Sequence, residues 1–162
     1  MTRTERRFLE GCRAGLIATL AMSFVMVLTY LIARRFFTEP VPLAMIANLL
    51  ARLFRSTTVT TPEVIAAWIL HLAYGTFWFG LLAVSTYRVT WWKGLAVGIG
   101  LWLIMLVFML PLVGVPVFSL ATWGWVWLAT FVEHIVYGIT GGAIMHRSDE
   151  FRRLPAVDME ST

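Results

Sequence analysis

The sequence predicts an all-α integral membrane protein, with four transmembrane helices in a single membrane domain covering residues 1–162. Three observations predict it. Hydrophobic residues make up 59% of the chain and mean hydropathy is +0.79, whereas a soluble domain is usually nearer half apolar. Four apolar segments each reach the roughly 20 residues that a bilayer crossing takes. The basic residues flank these segments. The formal charge of +4 therefore sets orientation and meets anionic lipid headgroups, and gives no nucleic-acid signal.

Residues 1–11 read as a polar, basic tail, and the first span runs over 12–33. Gly11, Gly15, Thr19 and Ser23 recur every four residues and form one stripe of small side chains. Such stripes let helix backbones approach closely in lipid. The apolar stretch follows the lone Cys12 and ends in Arg34-Arg35 without a cleavage pattern. It is a retained span, not a signal or lipoprotein leader, and a single cysteine allows no internal disulfide.

After Pro40 and Pro42, apolar residues at helical spacing predict an amphipathic interfacial helix over 43–55. That length is too short to span. The segment either lies in the membrane surface or packs over the mouth of the helix bundle. Thr61-Pro62-Glu63 supplies a hydroxyl cap, a first-turn proline and an acid near the positive helix end. The second span follows over 63–86, and a turn with Trp91-Trp92-Lys93 leads to a third over 93–112. Gly94 and Gly98 give the third span a small-residue face. Pro111, Gly114 and Pro116 end it. The fourth span runs over 122–145 behind a belt of Trp123, Trp125 and Trp127, and a polar tail occupies 146–162.

Nine basic residues fall on the side of the termini and four on the other, so the positive-inside rule puts both termini in the cytoplasm. The spans also read as a duplicated two-helix hairpin. Gly15-Leu16 aligns with Gly94-Leu95, and His71, Tyr74 and Gly75 align with His134, Tyr137 and Gly138. Parallel repeats of this kind are related by an axis along the membrane normal, which places the two histidines at equivalent depth on facing helices.

The chemistry-bearing residues inside the spans are His71, Glu133 and His134, with Tyr74 and Tyr137 three positions after the histidines. Intramembrane ionisable groups cost several kcal/mol unless paired, which marks these as a candidate polar site. Three readings compete. The histidines hold helices in register by interhelical hydrogen bonds in a non-enzymatic accessory or structural protein. Alternatively, Glu133, His134 and His71 handle a proton or small solute. In the third, His71 and His134 ligate haem b, with Gly75 and Gly138 making room for the ring, or a metal together with Glu133 and Met105 or Met109. No cofactor is expected on the first reading. The serines have no readable His-and-acid arrangement and no nucleotide-binding glycine loop occurs, so no catalytic residue emerges. Gly11, Gly15, Thr19, Gly94, Gly98, Gly138 and Gly142 are read as helix-packing positions. The expected partners are the lipid bilayer and a homodimer or larger membrane complex.

Trp92-Lys93-Gly94-Leu95, Pro111-Leu112-Val113-Gly114, Phe118-x-Leu120, Trp123 and His134-Ile135-Val136-Tyr137 together resemble the YagU-like proteins. These are small bacterial inner-membrane proteins of uncharacterised function. The resemblance covers roughly residues 92–138, with Glu133 outside the matched positions. It implies a multi-pass protein of the bacterial cytoplasmic membrane and names no reaction.

Overall fold

Thr2 and Glu5 start the first helix, α1 (Arg3–Phe36). The Thr2 N–H donates to the Glu5 carboxylate at 2.8 Å and the Glu5 N–H to the Thr2 hydroxyl oxygen at 3.2 Å. This reciprocal cap satisfies two orphan donors. It makes most of the expected N-terminal tail helical, so α1 begins nine residues before the apolar stretch. The computed structural model describes residues 1–36, 50–51, 59–112, 124–148 and 151, excepting the side chains of Arg34, Phe36 and residues 124–126. Apart from Leu50 and Ala51, the expected interfacial helix over 43–55 lies outside the described residues. So do the loop from Val113 to Trp123 and the tail beyond Phe151.

The second helix, α2, is Thr61–Ser85. Its cap is Thr60, one residue before the expected Thr61: the Thr60 N–H donates to the Glu63 carboxylate at 2.6 Å. Pro62 sits in the first turn, where its missing N–H removes no helical bond. A short turn leads to α3 (Trp91–Ile104), continued by a π-helical turn at Met105–Met109 and a last turn at Leu110–Leu112. The Leu110 N–H bonds back to the Met105 carbonyl. The cause lies one residue on. Pro111 has no N–H for the Val107 carbonyl and its ring crowds that oxygen, so the wider turn gives it room. The fourth helix, α4, is Gly124–Arg147. All described elements are helical, and four helices are long and apolar enough to cross a membrane.

Two antiparallel pairs, α1 with α2 and α3 with α4, are joined by close packing of α1 along α4, while α2 and α3 barely touch. Glycines set the approach in both pairs. A Cβ on Gly15 would run into the Gly75 and Thr76 carbonyls, and one on Gly11 into Ala83 and the Phe79 carbonyl. A Cβ on Gly94 would strike Gly142 and the Gly138 carbonyl, and one on Gly98 the His134 carbonyl and Gly138. Both predicted small-residue stripes are thus filled within one chain, so neither calls for a second copy. Between the pairs, Phe79 of α2 lies on Tyr137 of α4 with ring centroids 5.0 Å apart and fills the space over Gly141. These rings join Ala14, Ala18, Met22 and Met145 in the main buried cluster. A second cluster forms around the π turn, where Trp102, Met105, Leu106 and Leu110 meet Trp127 and Phe131.

Arg7 fastens one end of the molecule. Its guanidinium donates to the carbonyls of Ala83 (2.9 and 3.1 Å), Thr86 (2.5 Å) and Tyr87 (3.1 Å), and it lies 4.7 Å over the Phe151 ring. The last carbonyls of a helix have no intrahelical partner and carry its negative dipole end. A buried cation there meets both demands. By sequence Arg7 is one of nine flanking basic residues, and nothing sets it apart from Arg3 or Arg6.

Candidate functional site

The polar side chains gather where the two pairs meet. On α1, the Thr19 hydroxyl donates to the Gly15 carbonyl and the Ser23 hydroxyl to the Thr19 carbonyl, both at 2.7 Å. Ser23 has one hydroxyl hydrogen, so its 3.2 Å contact with His71 Nε2 on α2 has the ring donating. Neutral His71 therefore carries its hydrogen on Nε2 and a lone pair on Nδ1. On α4, His134 Nδ1 lies 2.8 Å from the Thr130 carbonyl. A carbonyl only accepts, so Nδ1 donates and the lone pair of neutral His134 is on Nε2. The Trp102 indole N–H of α3 donates to the Thr130 hydroxyl at 3.3 Å, and that hydroxyl donates to the Trp127 carbonyl at 3.2 Å. The Tyr137 hydroxyl crosses from α4 to the Gly75 carbonyl of α2 at 2.6 Å.

That last bond fixes the levels. Gly75 follows His71 by one turn, Tyr137 follows His134 by nearly one, and α2 and α4 run in the same direction. The two histidines therefore sit at matching depth. The two tyrosines part company. Tyr137 is 1% exposed and Tyr74 is 41% exposed, with Tyr74 edge-on to Trp78 at 5.9 Å and outside the layer. Glu133 is buried at 6% exposure, and among the described residues no donor reaches its carboxyl group. His146 is exposed at the end of α4, away from the other two.

Gly75 and Gly138, read as room for a haem ring, are filled by neighbours. A Cβ on Gly75 would run into the Thr19 side chain, and one on Gly138 into the Gly94 carbonyl and Leu95 Cα. Among the described residues, no group of three or more His, Cys, Asp or Glu side chains is placed to hold a metal ion. Met105 packs in the cluster around the π turn. Four participants escaped sequence reasoning in this role: Ser23 and Thr19 appeared only as small residues, and Trp102 and Thr130 not at all. The spacing of Thr19 and Ser23 carried the available signal, because a helical hydroxyl reaches the carbonyl four residues back.

A model of a family of unknown function, DUF6789, matches residues 5–155. Neither a curated protein nor a solved structure matches the chain.

Proposed function

The chain belongs to the DUF6789 family of unknown function, and we propose that it is a non-enzymatic accessory or structural protein of the bacterial cytoplasmic membrane. One observation carries this reading. Every described hydrogen-bond chain in the polar layer ends on a main-chain carbonyl: Thr19 on Gly15, Ser23 on Thr19, Thr130 on Trp127, His134 on Thr130 and Tyr137 on Gly75. A carbonyl oxygen has no hydrogen to pass on, so these chains are dead ends for a proton, and the bonds that cross between helices, His71 to Ser23, Trp102 to Thr130 and Tyr137 to Gly75, tie the helices together. Links of this kind in lipid are worth roughly 1 kcal/mol each and hold helices in register.

Support for the setting is independent of that layer. Large apolar side chains such as Phe24, Phe77 and Phe108 stand exposed around the helices, an arrangement that lipid solvates and water does not. The nine-to-four excess of basic residues supports cytoplasmic termini, and the YagU-like resemblance of residues 92–138 supports an inner membrane. A four-helix bundle made by duplicating one hairpin is supported by register: Gly15 rests on Gly75 as Gly94 rests on Gly138.

The test is the visible spectrum and metal content of the purified protein, air-oxidised and dithionite-reduced, together with the fold of His71→Gln and His134→Gln. The expected result is a colourless, metal-free protein whose single variants keep their helicity and expression. A Soret band lost in both variants would overturn the reading in favour of a b-type cytochrome.

A further inference from the structure

Three helices begin behind a threonine, and two of them bring their own anion. Glu5 stands three residues after Thr2 and Glu63 three residues after Thr60, and each carboxylate accepts the threonine N–H, at 2.8 and 2.6 Å. A carboxylate there also offsets the positive end of the helix. At the start of α3 the spacing recurs as Thr90 and Lys93, with a base in place of the acid. The first turn holds no acid and the Thr90 side chain makes no cap bond. Its hydroxyl oxygen is buried, and among the described residues it has no partner. The Lys93 and Gly94 N–H groups bond back to the Thr90 carbonyl at 3.0 and 3.3 Å. Those of Trp91 and Trp92 come too early in the helix to have an acceptor within it.

The surroundings add positive charge. The Lys93 ammonium donates to the Arg88 carbonyl at 2.7 Å and lies 5.7 Å from the centre of the Trp92 ring, so it is held across the turn beside residue 88. Arg88 is exposed, and among the described residues no carboxylate pairs with either base. Trp91 and Trp92 are exposed too, as is Tyr87, and such rings settle at the headgroup level of a membrane. The same turn has its opposite pole satisfied, because Arg7 answers the carbonyls at the end of α2. Among the described residues no anion answers the start of α3.

We propose that the turn between α2 and α3 binds the phosphate of an anionic phospholipid, with Arg88 and Lys93 as its cations beside the start of α3. The exposed indoles and the exposed apolar side chains below the turn, such as Val84, favour a lipid over free phosphate. An anionic headgroup is favoured over a zwitterionic one, because two bases and a positive helix end repel the ammonium that a zwitterion carries. The proposal rests on the membrane setting proposed above and is independent of the accessory role.

The experiment is native mass spectrometry of the full chain in detergent, titrated with phosphatidylglycerol, phosphatidylethanolamine or inorganic phosphate. Adducts of phosphatidylglycerol are expected, well above those of the other two. Arg88→Gln should weaken them about fivefold, the contribution of one base near a charged surface, and Lys93→Glu about thirtyfold, because reversal counts twice. Melting curves separate a lost site from a damaged fold. Lys93→Glu gives α3 the acid that α1 and α2 already carry, so without lipid it should melt no lower than the wild type. The rise in melting temperature that phosphatidylglycerol gives the wild type should vanish in it. Arg6→Gln removes an exposed base at the same end of the molecule and should leave both readings unchanged. Equal weakening by Arg6→Gln and Arg88→Gln would overturn the proposal in favour of diffuse charge attraction. So would equal binding of the two lipids, binding of neither, or phosphate binding as strong as that of phosphatidylglycerol. Resistance of the protein in liposomes to alkaline extraction reads insertion separately, so an inserted chain without lipid preference refutes the site alone.

Discussion

The two hairpins use one spacing and end in different surroundings. In the first, α1 lies against α2 with Gly15 on Gly75. In the second, α3 lies against α4 with Gly94 on Gly138. Both carry a histidine one turn before the second-helix glycine. The difference comes from which helix of each pair turns inward. The first hairpin presents α1 to its partner and the second presents α4, so α2 leaves more of its apolar surface exposed than α4 does. Tyr74 is exposed where Tyr137 is buried and bonded, and Leu70 is exposed where Glu133 is enclosed. A repeated pattern fixes contacts inside a hairpin. The environment of each residue follows from how the hairpins meet.

The hairpins differ also in what meets the second-helix glycine, Gly75 or Gly138, since Gly15 faces backbone just as Gly94 and Gly98 do. At Gly94 and Gly98 the obstruction is backbone of the facing helix, which cannot give way. At Gly75 it is the Thr19 side chain. Gly98→Ala is therefore expected to have the largest effect, about 3 kcal/mol of destabilisation or loss of folded protein, by overpacking. Gly75→Ala also destabilises, but Thr19→Ala in the same chain should restore most of the loss. Thermal unfolding in detergent reads both. Equal damage at the two positions, with no rescue by Thr19→Ala, would remove the distinction between the hairpins. Gly100, with open space where a Cβ would stand, is the tolerant control.

Arg7 holds the end of the first hairpin, and among the described residues it has no counterpart in the second. Arg7→Lys keeps the charge and loses the planar fork that reaches three carbonyls. An expected loss of about 2 kcal/mol follows from charge-assisted hydrogen bonds, whereas Arg6→Lys should be silent. Hydrogen exchange should quicken at the end of α2 and in the turn after it, and leave α3 with α4 unchanged. Uniform loss of protection in all four helices would show that Arg7 is not local to one hairpin.

The smallest effect separates the tyrosines. Tyr137→Phe removes the bond to the Gly75 carbonyl and should cost about 1 kcal/mol. Tyr74→Phe should stay within the error of the melting curve. Equal changes would mean that the buried bond adds nothing beyond the ring packing on Phe79.

Much of the architecture was legible from residue order. Apolar runs long enough to cross a membrane are a property of consecutive residues, and so are the helix start at Thr61-Pro62-Glu63, which the structure caps one residue earlier at Thr60, and the glycine spacing at Gly15, Gly94 and Gly98. The structure departs most from that reading at the start of α1. There the Thr2–Glu5 cap overrode a polar composition that reads as a tail. The candidate site was legible as a set of residues and not as an arrangement. His71, Glu133 and His134 stand out because charge and imidazole are rare in apolar helices.

Sequence by itself determined the four apolar helices, the pairing of neighbours in each hairpin and the short list of polar groups inside them. These follow from local hydrogen bonding and hydropathy, which consecutive residues set. Tertiary structure alone decided that α1 and α4 form the inner contact, that Arg7 is a buried clamp, and that Tyr137 and Glu133 are enclosed while Tyr74 and Leu70 are not. The physical reason is that helices in lipid gain little from hiding apolar surface. Close backbone approach and a few hydrogen bonds choose which faces meet, and those depend on residues far apart in the chain.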